Sequence, residues 1–409
     1  MQVADIISEV IGDDVPVRVV AYDGSKAGPD SSEVAVRILS PRALARLATA
    51  PGTLGLARAY VTGEIEIEGE LYQLLDAMAD VTMHGLTRSE QLALARRLLP
   101  IWVKHRQPIP DLEYRPRGRL HSMLRDKGAI SHHYDVSNTF YEWVLGPSMA
   151  YTCAVFPTAD ATLEEAQAAK HELVAQKLAL KPGMRLLDVG CGWGGMVMHA
   201  AKEYGVKALG VTLSKNQAEW AQRAIEERGL GDLAEVRHLD YREAPESQFD
   251  AISSIGLTEH IGRGQLSRYF SSLHARLRPG GRLLNHCITQ PRMPKSMTVD
   301  PFIGRYVFPD GQLEPIGLLV SEMNDAGFEV RHEENLREHY ALTLKGWCDN
   351  LEDNWDEAVA EVGLGRAKVW RLYMAASRLG FERDNIQLHQ VLGVKLEPQG
   401  RSGFPLRGW

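Results

Sequence analysis

The run Leu186-Leu187-Asp188-Val189-Gly190-Cys191-Gly192-Trp193-Gly194-Gly195 carries the clearest chemical signal in the chain. An apolar stretch enters a G-x-G-x-G-G turn, and a helical pattern begins near Met196. Glycines permit a tight turn and let backbone N–H groups come close to a ligand, at the carboxyl edge of a sheet where α/β folds bind ligands. The dinucleotide fingerprint is spaced differently, as G-x-G-x-x-G. Asp188, two residues before the first glycine, favours a ligand with an amino group and a ribose over a pyrophosphate. A plain close strand–helix turn uses the same glycines, so the turn alone does not decide. Glu259-His260 follows the strand-like FDAISSIG and has the types needed for acid–base work at that same edge. Taken singly, other polar residues have ordinary readings: His286 as a satisfied core histidine, Cys153 as a small buried hydrophobe, Tyr340 as a helix anchor.

The glycine turn is similar to the S-adenosylmethionine (SAM) pattern of class I methyltransferases. The second strand departs from that pattern. It lacks the acid that usually binds the ribose hydroxyls and ends Val211-Thr212-Leu213-Ser214-Lys215-Asn216-Gln217, where Thr212 and Gln217 offer neutral hydrogen bonds instead. Four more segments narrow the resemblance: HHYDVSNTFYEWVLGPSMAYTCAVFP (132–157), GLTEHIG (256–262), LNHCITQP (284–291) and REHYALTLKGWCDNLEDNW (337–355). With LLDVGCGWGG and VTLSKNQ, they resemble the cyclopropane fatty acid synthase family, which includes the mycolic acid methyltransferases. The resemblance runs from about His132 to the C-terminus, and the N-terminal region resembles the lipid-engaging domain of the phospholipid-acting members.

What the resemblance implies is specific. The fold is α/β, a Rossmann-like class I methyltransferase with a seven-stranded, mostly parallel sheet and a smaller N-terminal α+β domain. SAM contacts map onto Tyr151, Thr152, Asp188, Gly190, Gly192, Gly194, Thr212 and Gln217, and Asp240-Tyr241 would flank the adenine. A bicarbonate ion beside the methyl group would be held by Cys153, Glu259, His286, the backbone of Ile288 and Tyr340. The implied reaction adds a methyl group to the cis double bond of an unsaturated acyl chain in a membrane phospholipid, giving a cyclopropane. An alkene is a poor nucleophile, so methylation leaves a carbocation that must lose a proton, and water must be kept out. Two alternatives stay open: proton loss to a methylene-branched chain, converted to a methyl branch by a separate reductase, and an ordinary O- or N-methyltransferase. Oligomeric state, including a homodimer, is open as well. Three positions depart from the family pattern: Thr258 replaces an aromatic, Asn285 is unusually polar, and Ser377 stands where some members carry a cysteine.

The elements that must position these residues are readable in outline. From about residue 160 the runs MRLLDVG, ALGVTLS, AEVRHLDY, FDAISSIG and GRLLNHCIT alternate with amphipathic helices, the pattern of a parallel sheet covered on both faces. Thr162 and Glu165 have capping-box spacing, as do Thr87 and Glu90 ahead of a helix that Pro100 is expected to end or kink. Earlier, VPVRVVAY (15–22), VAVRIL (34–39) and YVTGEIEIEG read as strands beside short helices. Aromatics such as Tyr134, Phe140, Trp143, Tyr306 and Trp347 read as core or as walls of an acyl channel. The expected division is 1–105 as the lipid-engaging domain, 106–131 as a basic linker and 132–409 as the catalytic domain.

At 409 residues with a formal charge of −7, the chain exceeds one ordinary domain and does not suit nucleic-acid binding through overall positive charge. Arg88 to Lys127 runs against that balance, with ten basic residues to four acidic ones. It reads either as a solvated linker or as a surface for anionic head groups. Cys153, Cys191, Cys287 and Cys348 form no C-x-x-C pair, which argues against a zinc site and a disulfide framework and fits a reducing cytosol. No apolar run reaches the roughly 18 residues of a membrane span, so the expected location is cytoplasmic with peripheral contact at the inner face.

Overall fold

A computed structural model describes residues 2–11, 15–50, 53–79, 88–114, 125, 136–293 and 300–406. The chain divides into two compact units, and neither is continuous in sequence. The first comprises Met1–Arg115, Asp300–Pro309 and Leu351–Leu379; the second comprises Pro116–Val299, Asp310–Asn350 and Gly380–Trp409. This departs from the contiguous division at 105 and 131. Residues 106–114 are packed parts of the first unit: the Glu113 carboxylate accepts from Arg58 Nε and Nη2 at 2.8 Å each, and the Tyr114 N–H donates to the Arg305 carbonyl. Residues 115–124 and 126–131 of the expected linker lie outside the described residues.

In the first unit the strands β1 (Arg18–Ala21), β2 (Lys26–Ala27), β3 (Ala35–Ile38) and β4 (Ile65–Glu68) form a sheet of order β2-β1-β3-β4, with β1 and β3 parallel. The three strand-like runs of the sequence are β1, β3 and β4. Around them lie Val3–Ile11, Pro41–Thr49, Thr53–Val61, Leu71–Ala77 and Arg88–His105. The last helix runs through Pro100 and does not end there, and Thr87 lies outside the described residues.

The second unit holds β5 (Arg185–Val189), β6 (Lys207–Thr212), β7 (Ala234–His238), β8 (Phe249–Ile255), β9 (Leu277–Gln290), β10 (Glu314–Pro315), β11 (Phe328–Asn335) and β12 (Gln387–Lys395). Their order is β11-β12-β9-β8-β5-β6-β7, with β10 beside β9. The five strands expected from the sequence are β5 to β9, all parallel, whereas β12 runs antiparallel between β9 and β11. Alternate residues feed two apolar clusters, Leu186, Ala208 and Ala251 in one, Leu187, Leu209 and Ile252 in the other, as a sheet covered on both faces requires. Strand order reverses between β5 and β8, which opens a crevice at their carboxyl ends. Helix Leu163–Leu178 opens with the complete Thr162/Glu165 capping box.

Candidate functional site

The glycine turn sits at the carboxyl end of β5, at that crevice. Gly190, Gly192 and Gly194 all have positive φ. A Cβ on Gly190 would lie 3.2 Å from Leu257 Cβ, and one on Gly194 would lie 3.2 Å from Ala221 Cβ, so the turn needs glycine for both conformation and space. Helix Gly195–Tyr204 starts directly behind it and turns the N–H groups of its first turn toward the crevice end of the sheet, as a helix N-terminus does. Asp188 is sealed beneath the turn, where its Oδ1 accepts from Ser253 Oγ at 2.6 Å. Burial pushes its carboxyl up to about 6, against the pull of Ser253 and Lys170.

The residues expected around SAM gather here by different routes. Thr212 ends β6, and its hydroxyl donates to Gln217 Oε1 at 2.9 Å while Ser214 caps the helix Lys215–Glu227. Asp240 follows β7, and its carboxylate is engaged by the backbone N–H and the guanidinium of Arg242. Tyr151 and Thr152 are pinned from helix Leu163–Leu178: Gln167 Nε2 donates to the Thr152 carbonyl at 2.9 Å, and Lys170 Nζ donates to Thr152 Oγ1 at 3.0 Å. Lys170 is buried, and desolvation lowers it to about 8. Sequence reading passed over Gln167 and Lys170. Their signal was polar side chains on the same helical face as the buried Ala166 and Val174.

Glu259 stands in the single turn Thr258–His260 after β8. Its Oε1 accepts from the Ile288 N–H of β9 at 2.7 Å, and its buried Oε2 has no hydrogen-bond partner among the described residues. Burial pushes the carboxyl up to about 7, opposed by the Ile288 N–H. His286, also on β9, is completely buried; its Nδ1 meets Gln390 Nε2 at 3.1 Å and its Nε2 has no partner among the described residues. Burial first, then the cations Lys170 and Lys177, hold the imidazole well below its usual range, so it is neutral.

Backbone pairing links the remaining residues of the expected anion site. Ile288 pairs with Leu388 of β12, whose carbonyl accepts the Leu336 N–H. The Leu336 carbonyl in turn accepts from the Tyr340 N–H at 3.2 Å and lies 3.8 Å from Cys153 Sγ. Two of these residues already have contacts within the protein. The Ile288 N–H serves Glu259, because the buried carboxylate beside it takes its single hydrogen. The Cys153 thiol points at the Ala154 and Leu336 carbonyls, and burial raises it far above its usual range, so it stays protonated. Tyr340 packs on Phe381 and Trp347, and Trp347 on Tyr151, so rings join Tyr340 to the SAM side. Of the expected channel aromatics, Phe140 and Trp347 are buried in this unit, Tyr306 belongs to the first unit, and Tyr134 lies outside the described residues. Thr258 and Asn285, both departures from the family pattern, are partners: Thr258 Oγ1 donates to Asn285 Oδ1 at 2.6 Å.

The family model described as mycolic acid cyclopropane synthetase matches residues 121–391. This chain belongs to that family. The fold is that of a class I SAM methyltransferase, and the enzyme is a SAM-dependent methyltransferase. Among its relatives, a Mycobacterium tuberculosis protein named "probable fatty acid methyltransferase" is 54% identical over 96% of this chain and 94% of its own length. The cyclopropane-fatty-acyl-phospholipid synthase of Escherichia coli is 35% identical over 64% of this chain and 66% of its own. Among solved structures, the mycolic acid cyclopropane synthase CmaA1 complexed with SAH and CTAB has a TM-score of 0.62 at 34% identity, covering 65% of this chain and 97% of that one. Family membership is consistent with the glycine turn as the SAM site.

Proposed function

We propose that this enzyme transfers the SAM methyl group to the cis double bond of an unsaturated acyl chain in a membrane phospholipid and closes the product to a cyclopropane. The S–CH3 bond breaks with its electron pair left on sulfur, and the alkene π pair forms the new C–C bond. The cation then loses a proton from the added methyl group, and that C–H pair closes the ring. One observation carries the reading: two buried polar atoms of opposite type, Glu259 Oε2 and His286 Nε2, have no partner among the described residues. Buried polar groups are rarely left so, and an acceptor and a donor together suit a small oxyanion that bears a proton. Bicarbonate fits them, with Glu259 accepting its O–H and the neutral His286 donating to its oxygen. When bound, the ion supplies a base in a site closed to water. The reading keeps Tyr340 and Cys153 as further members of the site, linked to each other through the Leu336 carbonyl.

The relatives' names support a lipid substrate. Peripheral membrane contact is supported by helix Arg88–His105, where Leu99 and Val103 are 53% and 67% exposed one turn apart, with Arg96, Lys104 and Arg106 exposed nearby. Such a face suits the head-group region of an anionic bilayer. Among the described residues no helix is long and apolar enough to cross a membrane. The test is incubation with methyl-labelled SAM and dioleoyl phospholipid vesicles, followed by proton NMR of the recovered chains. A labelled cyclopropane methylene is expected; chains without label would refute the reading. A second outcome of the same cation, a methylene-branched chain handed to a separate reductase, would show in the same spectrum as an exocyclic alkene.

A further inference from the structure

The Nδ1 nitrogen of His286 meets a residue far from it in sequence. Gln390 of β12 lies directly opposite His286 of β9 in the antiparallel register, and both side chains are completely buried. Behind Gln390 stands Lys177, 1% exposed, whose Nζ donates to Gln390 Oε1 at 2.7 Å and pairs with Glu334.

The polarity of this row follows from donor inventories. A lysine ammonium has donors and no acceptor, so the glutamine must turn its oxygen toward Lys177. Its amide nitrogen then faces His286 Nδ1, and an NH2 group can only donate. Nδ1 must accept, which leaves the ring proton on Nε2, the buried nitrogen that has no partner among the described residues. Reversing the amide would set its NH2 against the ammonium, and moving the ring proton to Nδ1 would set two donors against each other. Either change leaves buried donors unsatisfied.

We propose that Lys177 and Gln390 are positioning residues that fix His286 as the Nε2–H tautomer, so that it works in the methyl-transfer site as a hydrogen-bond donor and never as a base from Nδ1. The inference rests on the reading of His286 as part of an anion site, but it makes a claim about the free protein that can be tested without any ligand.

The experiment is long-range 1H–15N correlation NMR of the full chain labelled with 15N-histidine, the His286 signals being assigned by their loss in His286→Gln. The wild type should show the neutral Nε2–H pattern in buffer free of SAM and bicarbonate. Gln390→Glu places an acceptor at Nδ1 and should move the proton there. Lys177→Met frees the amide to turn and should give both tautomers. With substrate, Gln390→Glu should lower kcat by about 10²-fold, the usual effect of losing one preorganised donor, with KM for SAM nearly unchanged. A wild-type ring protonated on Nδ1 overturns the proposal whether or not the variants fold, and so does a Gln390→Glu spectrum identical to the wild type. If the tautomer behaves as stated but turnover ignores bicarbonate, the anion reading fails while the assignment of Lys177 and Gln390 holds.

Discussion

Glu259→Gln should stabilise the protein at alkaline pH while disabling it. Burial raises the Glu259 carboxyl from 4.5 to about 7. At about 1.4 kcal/mol per pH unit, keeping it ionised in the fold costs about 3 kcal/mol. The sign follows from linkage. Below 4.5 the group is neutral in folded and unfolded chains alike and nothing is lost. Between 4.5 and 7 only the unfolded chain releases the proton, so stability falls, and above 7 the loss is constant. Glutamine does not titrate, keeps an oxygen for the Ile288 N–H, and leaves one buried NH2 at a cost independent of pH. The unfolding free energy of the variant minus that of the wild type should therefore rise by about 2.5 kcal/mol between pH 5 and 8.5. For a unit of this size that is about 5–10 °C by thermal shift in bicarbonate-free buffer. Across the same range wild-type kcat/KM should rise through about 7 as the carboxylate forms, while the variant stays low and flat by a factor of about 10² or more. Parallel melting curves for the two proteins would refute the reasoning, since they would mean that Glu259 titrates as a solvated carboxyl.

Asp188→Asn keeps the shape under the glycine turn but removes the charge, and SAM affinity measured by calorimetry should fall by about 1.5–3 kcal/mol; Ser253→Ala, which strips only the supporting hydroxyl, should cost less. Thr258→Val leaves the buried Asn285 oxygen without its donor and should destabilise the fold by about 1–3 kcal/mol, while Thr258→Val/Asn285→Leu should recover much of that, a coupling that a double-mutant cycle of unfolding free energies measures. Leu99→Asp with Val103→Asp should weaken sedimentation with anionic vesicles and leave SAM affinity unchanged, and wild-type binding should fall as salt screens the basic residues over about 8–10 Å. Equal sedimentation of the two proteins would show that this face does not meet lipid.

Features written in short range were legible in the sequence. The glycine turn needs three positive-φ residues within five positions, the capping box places Thr162 and Glu165 one turn apart, and β5, β6 and β8 are mostly apolar runs because both faces of their sheet are covered. Each is a local steric or periodic demand that the chain must meet wherever it folds. Glu259 was findable for the same reason, since it directly follows a strand that ends at the ligand edge. Other features exist only once distant segments meet. Gln390 is 104 residues from His286 and Lys177 is 157 from Glu334. Nothing along the sequence singles out Lys177, and only the antiparallel insertion of β12 between β9 and β11 brings Gln390 opposite His286, within reach of that lysine. The unit boundaries and the pairing of Thr258 with Asn285 belong to the same class. Hydrogen-bond polarity passes from group to group through contact in space, and no spacing along the chain records which side chains will touch.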